Sequence, residues 1–176
     1  MVASLAPLCL ILLSLSQRTT AMTLNETCTN IVGFVPYSFC MITLRSNPHS
    51  MHANTTTLAF ISLNLAIINA TTTKAKIDTF LNNVREPELK NGLQACNIIY
   101  GNAITDLRSG SDFLLSTKFE TAKALASAAS TAGNECGDAL RHAKMASVPG
   151  RRLLRKENGD FGLLTLLFLG IINNLL

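Results

Sequence analysis

Tryptophan is absent from this 176-residue chain, tyrosine occurs twice, and only 15% of residues are charged. The net charge of +4 is too small an excess to argue for nucleic acid as a partner. No two of the four cysteines beyond the first apolar run stand at the C-x₂₋₄-C spacing of a metal site. Catalytic motifs are missing too: no G-x-S-x-G, no H-E-x-x-H, no phosphate loop, no paired carboxylates in an apolar setting. His49 and His52 stand three apart but have no identifiable third ligand, and His142 joins no motif. No metal or cofactor is therefore expected. A hydrolase ranks last among the readings, because no nucleophile and base can be named. What remains is a protein that works by its surface.

Hydrophobic residues, in contrast, make up 48% of the chain. Runs of Ala, Leu, Ile, Thr and Asn predict an all-α protein with small residues at close helix contacts. The central feature is an apolar stripe through Leu89, Leu93, Cys96, Tyr100, Ala103 and Leu107, spaced alternately four and three apart. Such spacing marks one face of an α-helix. A second stripe runs through Phe119, Ala122, Ala126, Ala129, Gly133, Cys136 and Leu140. Each stripe carries one inward cysteine, so two packed helices can be joined by Cys96–Cys136.

The first 21 residues read as a signal peptide: an apolar core, LAPLCLILLSLS, then Thr19-Thr20-Ala21 as small residues for cleavage. The core is too short for a membrane span. Removing it takes Cys9 and leaves an even four cysteines, as suits an oxidising compartment. Residues 22–46 predict a helical hairpin, with helical segments over 23–32 and 36–44 and a turn at Gly33 and Pro36. A Cys28–Cys40 bridge would close it, worth about 3 kcal/mol in the loop-entropy account. Three Asn-x-Thr sequons at Asn25, Asn54 and Asn69 are candidate glycan acceptors. Asn69 reads equally as a polar residue within a helix.

Residues 50–176 predict a four-helix bundle. A long helix is expected over 54–84, with apolar faces Leu58, Ile61, Leu65, Ile68 and then Ile77, Phe80, Leu81, Val84. The β-branched run Thr71-Thr72-Thr73 between them is where it would bend or break. Pro87 would open the helix carrying Cys96, and Ser109-Gly110-Ser111 would end it. Thr117-x-x-Glu120 has the pattern of a capping box for the next helix. Pro149-Gly150 marks a loop, and the basic cluster Arg151-Arg152-Leu153-Leu154-Arg155-Lys156 reads as its solvated continuation. The apolar tail from Phe161 keeps a stripe through Leu164, Phe168 and Ile171. It is expected to be a buried closing helix, without stable membrane insertion. A lipid-anchor signal is the runner-up.

Taken together, Thr27-Cys28, Pro36, Phe39-Cys40, Leu44 and Pro48 resemble the plant invertase and pectin methylesterase inhibitor family. So do Cys96 with Tyr100, and Lys118-Phe119-Glu120-Thr121-Ala122 through Ala128 to Cys136. Asn158 and Phe161 through Leu164-Thr165 to Leu169 complete the match. The resemblance implies an up-and-down four-helix bundle with an N-terminal helical hairpin and bridges Cys28–Cys40 and Cys96–Cys136. It also implies a secreted, apoplastic, non-enzymatic inhibitor that docks over the cleft of a carbohydrate-active enzyme. Pectin methylesterase is the first choice of target. Acid invertase, of cell wall or vacuole, is next. A same-fold secreted protein with no enzyme target and a lipid carrier are the rivals. Family members acting on cell-wall invertase insert a Pro-Lys-Phe segment. The matching segment here is Thr117-Lys118-Phe119, with Thr in place of Pro, and its stripe position makes Phe119 a core residue. Pectin methylesterase inhibitors instead use helix faces. Arg151-Arg152-Leu153-Leu154 is similar to a processing site of pectin methylesterase pro-regions.

Overall fold

The computed structural model describes residues 22–142 and 154–176. The predicted signal peptide, the Pro149-Gly150 loop and Arg151, Arg152 and Leu153 of the basic cluster lie outside the described residues. The chain begins with a hairpin of α1 (Leu24–Asn30) and α2 (Tyr37–Arg45). A capping box starts α1: Thr23 N–H donates to Glu26 at 2.7 Å, and Glu26 N–H donates to the Thr23 hydroxyl at 3.3 Å. These two helix-opening donors would otherwise lack partners. Pro36 stands at the N-cap of α2. Cys28 and Cys40 are bridged, with their Cα atoms 5.6 Å apart.

A 3₁₀ turn, Pro48–His52, leads to α3 (Thr55–Asn83). Asn54 caps α3, its side-chain oxygen accepting from Thr57 N–H at 2.8 Å. Then come α4 (Pro87–Leu115), α5 (Phe119–Ala129), α6 (Ala132–His142) and α7 (Arg155–Ile172), with a last 3₁₀ turn at Asn173–Leu175. No strand occurs among the described residues. The loops at 84–86 and 116–118 are too short for anything but antiparallel neighbours. α3 packs against α4 and α7, α4 against α5 and α6, and both α5 and α6 against α7. The result is an up-and-down four-helix bundle whose third arm is split.

Four details differ from expectation. The α3 helix runs unbroken through Thr71-Thr72-Thr73. Thr73 is buried on the core face of the helix, so packing outweighs the weak helix propensity of the run. Its buried face also shifts: Ile68 is 61% exposed, while Ala66, Ala70 and Thr73 face the core. Small residues let the neighbouring helices approach where a larger side chain would hold them apart.

Ser109-Gly110-Ser111 does not end α4, which continues to Leu115. Gly110 is a contact residue: a Cβ there would lie 3.4 Å from the Ala122 carbonyl oxygen of α5. Finally, the second stripe spans two helices, because the chain breaks at residues 130–131. There the Ser130 hydroxyl bonds to the Ser127 carbonyl at 2.7 Å, competing with the backbone ladder. The stripe keeps its phase across the break, with Ala126, Ala129, Ala132, Cys136 and Leu140 all buried.

Cys96 and Cys136 are fully buried and bridged, with Cα atoms 4.6 Å apart, tying α4 to α6. The tail is a closing core helix: Phe161, Phe168 and Ile171 are fully buried and Leu164 half-buried. Its Gly170 seats the hairpin, since a Cβ there would lie 3.0 Å from Ile31 and 3.1 Å from Phe34.

Candidate target-binding surface

The antiparallel order brings the start of α3, the end of α4, the start of α5 and the end of α7 to one end of the bundle. The hairpin covers part of that end through Gly170. Thr117, Lys118 and Phe119 lie there, at the α4–α5 hinge. Their geometry is not the predicted capping box. Lys118, without a side-chain cap bond, takes the N-cap position of α5.

Thr117 instead closes α4. Its φ is 57°, the left-handed region. Lys118 N–H donates to the Phe113 carbonyl at 2.9 Å, and Thr117 N–H to the Leu114 carbonyl at 3.1 Å. These are the paired bonds of a Schellman helix ending, whose left-handed position is usually glycine. A β-branched residue there is an outlier that carries backbone strain. The apolar contact common in that motif is replaced here: Lys118 Nζ lies 5.6 Å from the Phe113 ring centroid, a cation–π contact. Thr117 and Lys118 are exposed, whereas Phe119 is half-buried against the core. Two large apolar residues also stand in solvent on α4, Ile98 and Leu115, at 65% and 68% exposure.

Toward the opposite end, α4 and α7 are locked by a polar contact inside the core. Tyr100 donates its hydroxyl to Asn158 at 2.8 Å and packs edge-on against Phe161, with centroids 5.4 Å apart. Burial raises the Tyr100 phenol above its ordinary value, with the Glu157 charge adding to the shift. Glu157 pairs with Lys76 of α3. Its partial burial would raise its pKa, but the Lys76 hydrogen bond, its backbone N–H and the charges of Lys76 and Lys156 together lower it. A cleft of about 460 Å³ lies beside this contact, lined by Gly133, Gly137, Arg141, Arg155 and Asn158 among others.

None of this forms a reactive centre or a metal cluster among the described residues. His49 and His52 lie exposed on the 3₁₀ turn. Asn25 is exposed on α1, Asn54 is exposed at the α3 N-cap, and Asn69 is half-buried mid-way along α3. The sequence reading missed Asn54 as a cap, and Gly133 and Gly170 as helix contacts. An asparagine directly before the apolar-periodic run is the local signal for the cap. Gly133 holds a stripe position, which marks its burial but not the close backbone contact, and no local pattern marks Gly170.

Residues 21–165 match the family model described as plant invertase/pectin methylesterase inhibitor. The chain belongs to this family of enzyme inhibitors. It is 31% identical over 154 residues to an Arabidopsis thaliana protein named cell wall / vacuolar inhibitor of fructosidase 2, covering 85% of this chain and 86% of that one. A pectinesterase inhibitor of Actinidia deliciosa is 29% identical over 103 residues, covering 58% of this chain and 56% of the relative. The crystal structure of a mutant form of a pectin methylesterase inhibitor from Arabidopsis superposes with a TM-score of 0.71. That match has 22% identity and covers 85% of this chain and 95% of that one, and it establishes the shared fold.

Proposed function

We propose that this chain is a secreted inhibitor of a plant pectin methylesterase, docking over the enzyme's active-site cleft in the apoplast. Membership of the inhibitor family supports the inhibitory role. The choice of target rests on Thr117. Inhibitors acting on cell-wall invertase present Pro-Lys-Phe at the matching place. Proline holds φ near −65° and has no N–H. The hinge here needs φ 57° at that residue and uses its N–H to close α4. Lys118 is folded over Phe113, and Phe119 packs on the core. The segment is thus not arranged as a projecting Pro-Lys-Phe finger. That favours docking by helix faces, where Ile98 and Leu115 of α4 offer exposed apolar area.

Acid invertase remains the second reading, favoured by the named fructosidase inhibitor among the relatives. The deciding experiment titrates the purified mature protein against a plant pectin methylesterase and a plant acid invertase at mildly acidic pH. Saturable loss of methylesterase activity alone is the expected result. Loss of invertase activity alone would overturn the choice of target. Loss of neither, with both disulfides formed, would overturn the inhibitory role. A leader over residues 1–21 and a mature domain from residue 22 complete the proposal; the released N-terminus, read by sequencing, checks them.

A further inference from the structure

The three sequons share the same Asn-x-Thr acceptor pattern; by position in the sequence Asn25, near the mature N-terminus, is the best of them and Asn69 the one that also reads as a helix residue. The structure separates them. N-glycosylation replaces one hydrogen on the amide nitrogen Nδ2 and leaves the carbonyl oxygen Oδ1 able to accept. What matters is which atom of each asparagine the fold uses.

Asn25 accepts the Tyr37 hydroxyl through Oδ1 at 2.5 Å, tying α1 to α2 across the hairpin. Asn54 accepts Thr57 N–H through Oδ1 at 2.8 Å and so caps α3. Both residues are exposed, and neither Nδ2 has a hydrogen-bond partner among the described residues. In both, the fold occupies the oxygen and leaves the nitrogen to solvent. Asn69 is the reverse case. It sits inside the unbroken α3 helix, one turn from the buried Ala66 and Thr73, and its Oδ1 is buried without a partner. A sugar on its nitrogen would start from a half-buried side chain.

We infer that Asn25 and Asn54 are the N-glycan attachment sites of this protein and that Asn69 carries none. The consequence is positional. α3 and α4 are antiparallel neighbours, and packed helices stand about 8–10 Å apart. A glycan on Asn54 therefore rises beside the Thr117 hinge at the same end of the bundle. The exposed Ile98, in the first half of α4, stands well away from that end.

The inference rests on the proposed secretion, so the test separates the two. The full chain is expressed in plant cells with its own first 21 residues and, in parallel, behind an established secretory leader. The secreted protein from the second arm is treated with an N-glycanase in heavy-oxygen water and mapped by peptide mass spectrometry. Conversion to labelled Asp at Asn25 and Asn54, with Asn69 unmodified, is expected. Asn25→Asp and Asn54→Asp keep the accepting oxygen while removing the nitrogen. Each is expected to remove one glycan from the intact mass and preserve the helical circular dichroism signal. Asn69→Gln is expected to leave the glycan mass unchanged. A labelled Asn69, or an unlabelled Asn25 or Asn54, would overturn the inference. Retention inside the cell in the first arm alone would instead count against the natural leader.

Discussion

Thr117 shows how one residue can resist its local rule. It is exposed and β-branched, and it holds a left-handed backbone that glycine would take without strain. Thr117→Gly is expected to stabilise the protein by about 1 kcal/mol, a rise of about 3 °C in melting temperature. Thr117→Pro is expected to destabilise it by about 3 kcal/mol, because φ and the N–H bond to Leu114 are both lost. Thermal unfolding followed by circular dichroism checks both. If the glycine variant also loses potency toward its target enzyme, the threonine side chain is part of the contact. Tyr100 poses a separate case: Tyr100→Phe leaves the Asn158 oxygen without its buried donor and is expected to cost about 1–3 kcal/mol.

At the scale of elements, the glycines divide into two kinds. Gly133 on α6 meets α7 at the backbone: an added Cβ would lie 2.5 Å from the Asn158 carbonyl oxygen. Gly133→Ala must push two helices apart and is expected to destabilise by about 1–3 kcal/mol. Gly101 on α4 has room, with only Lys74 Cε at 3.9 Å. There Gly101→Ala is expected to gain about 0.5–1 kcal/mol, since alanine is the better helix former and nothing must move. Chemical denaturation of the two variants side by side gives the comparison, and equal effects would refute it. The sequence marked Gly133 as a stripe position, which its burial matches, but not as the closest approach of two backbones. Likewise it marked Gly110 as a helix end. The contact with Ala122 of α5 gives a packing reason for a glycine there within the helix.

For the whole molecule, the two bridges close chain segments separated by 12 and 40 residues. The loop-entropy account makes them worth about 3 and about 4 kcal/mol. Cys96→Ser is expected to loosen the α4–α6 contact and weaken inhibition; full potency of the variant would show that the bridge is dispensable. Acid should matter as well. The folded-state pKa of Glu157 lies below its ordinary value, so its pairing with Lys76 stabilises fully above the ordinary glutamate pKa of about 4.3. That contribution disappears as pH falls through the lower folded value. Unfolding of the wild type and Glu157→Gln is expected to differ at neutral pH and converge in strong acid. A difference independent of pH would assign the effect to packing instead.

Much of this architecture was legible in local pattern. Apolar residues recurring every three or four positions specify which side of a helix is buried, whatever it packs against, so the α4 stripe and the inward direction of Cys96 follow from the chain alone. Proline at 87 likewise marks a helix start by its own stereochemistry. Other features depend on atoms distant in sequence. The α3 face passes through Ala66 and Ala70 rather than Ile68 because two neighbouring helices crowd it there. The seat of the hairpin on Gly170 and the Tyr100–Asn158 contact are also consequences of packing. Periodicity records how much apolar surface each helix must hide; only the assembled bundle decides how near two backbones come, and thus which small or polar residue stands between them.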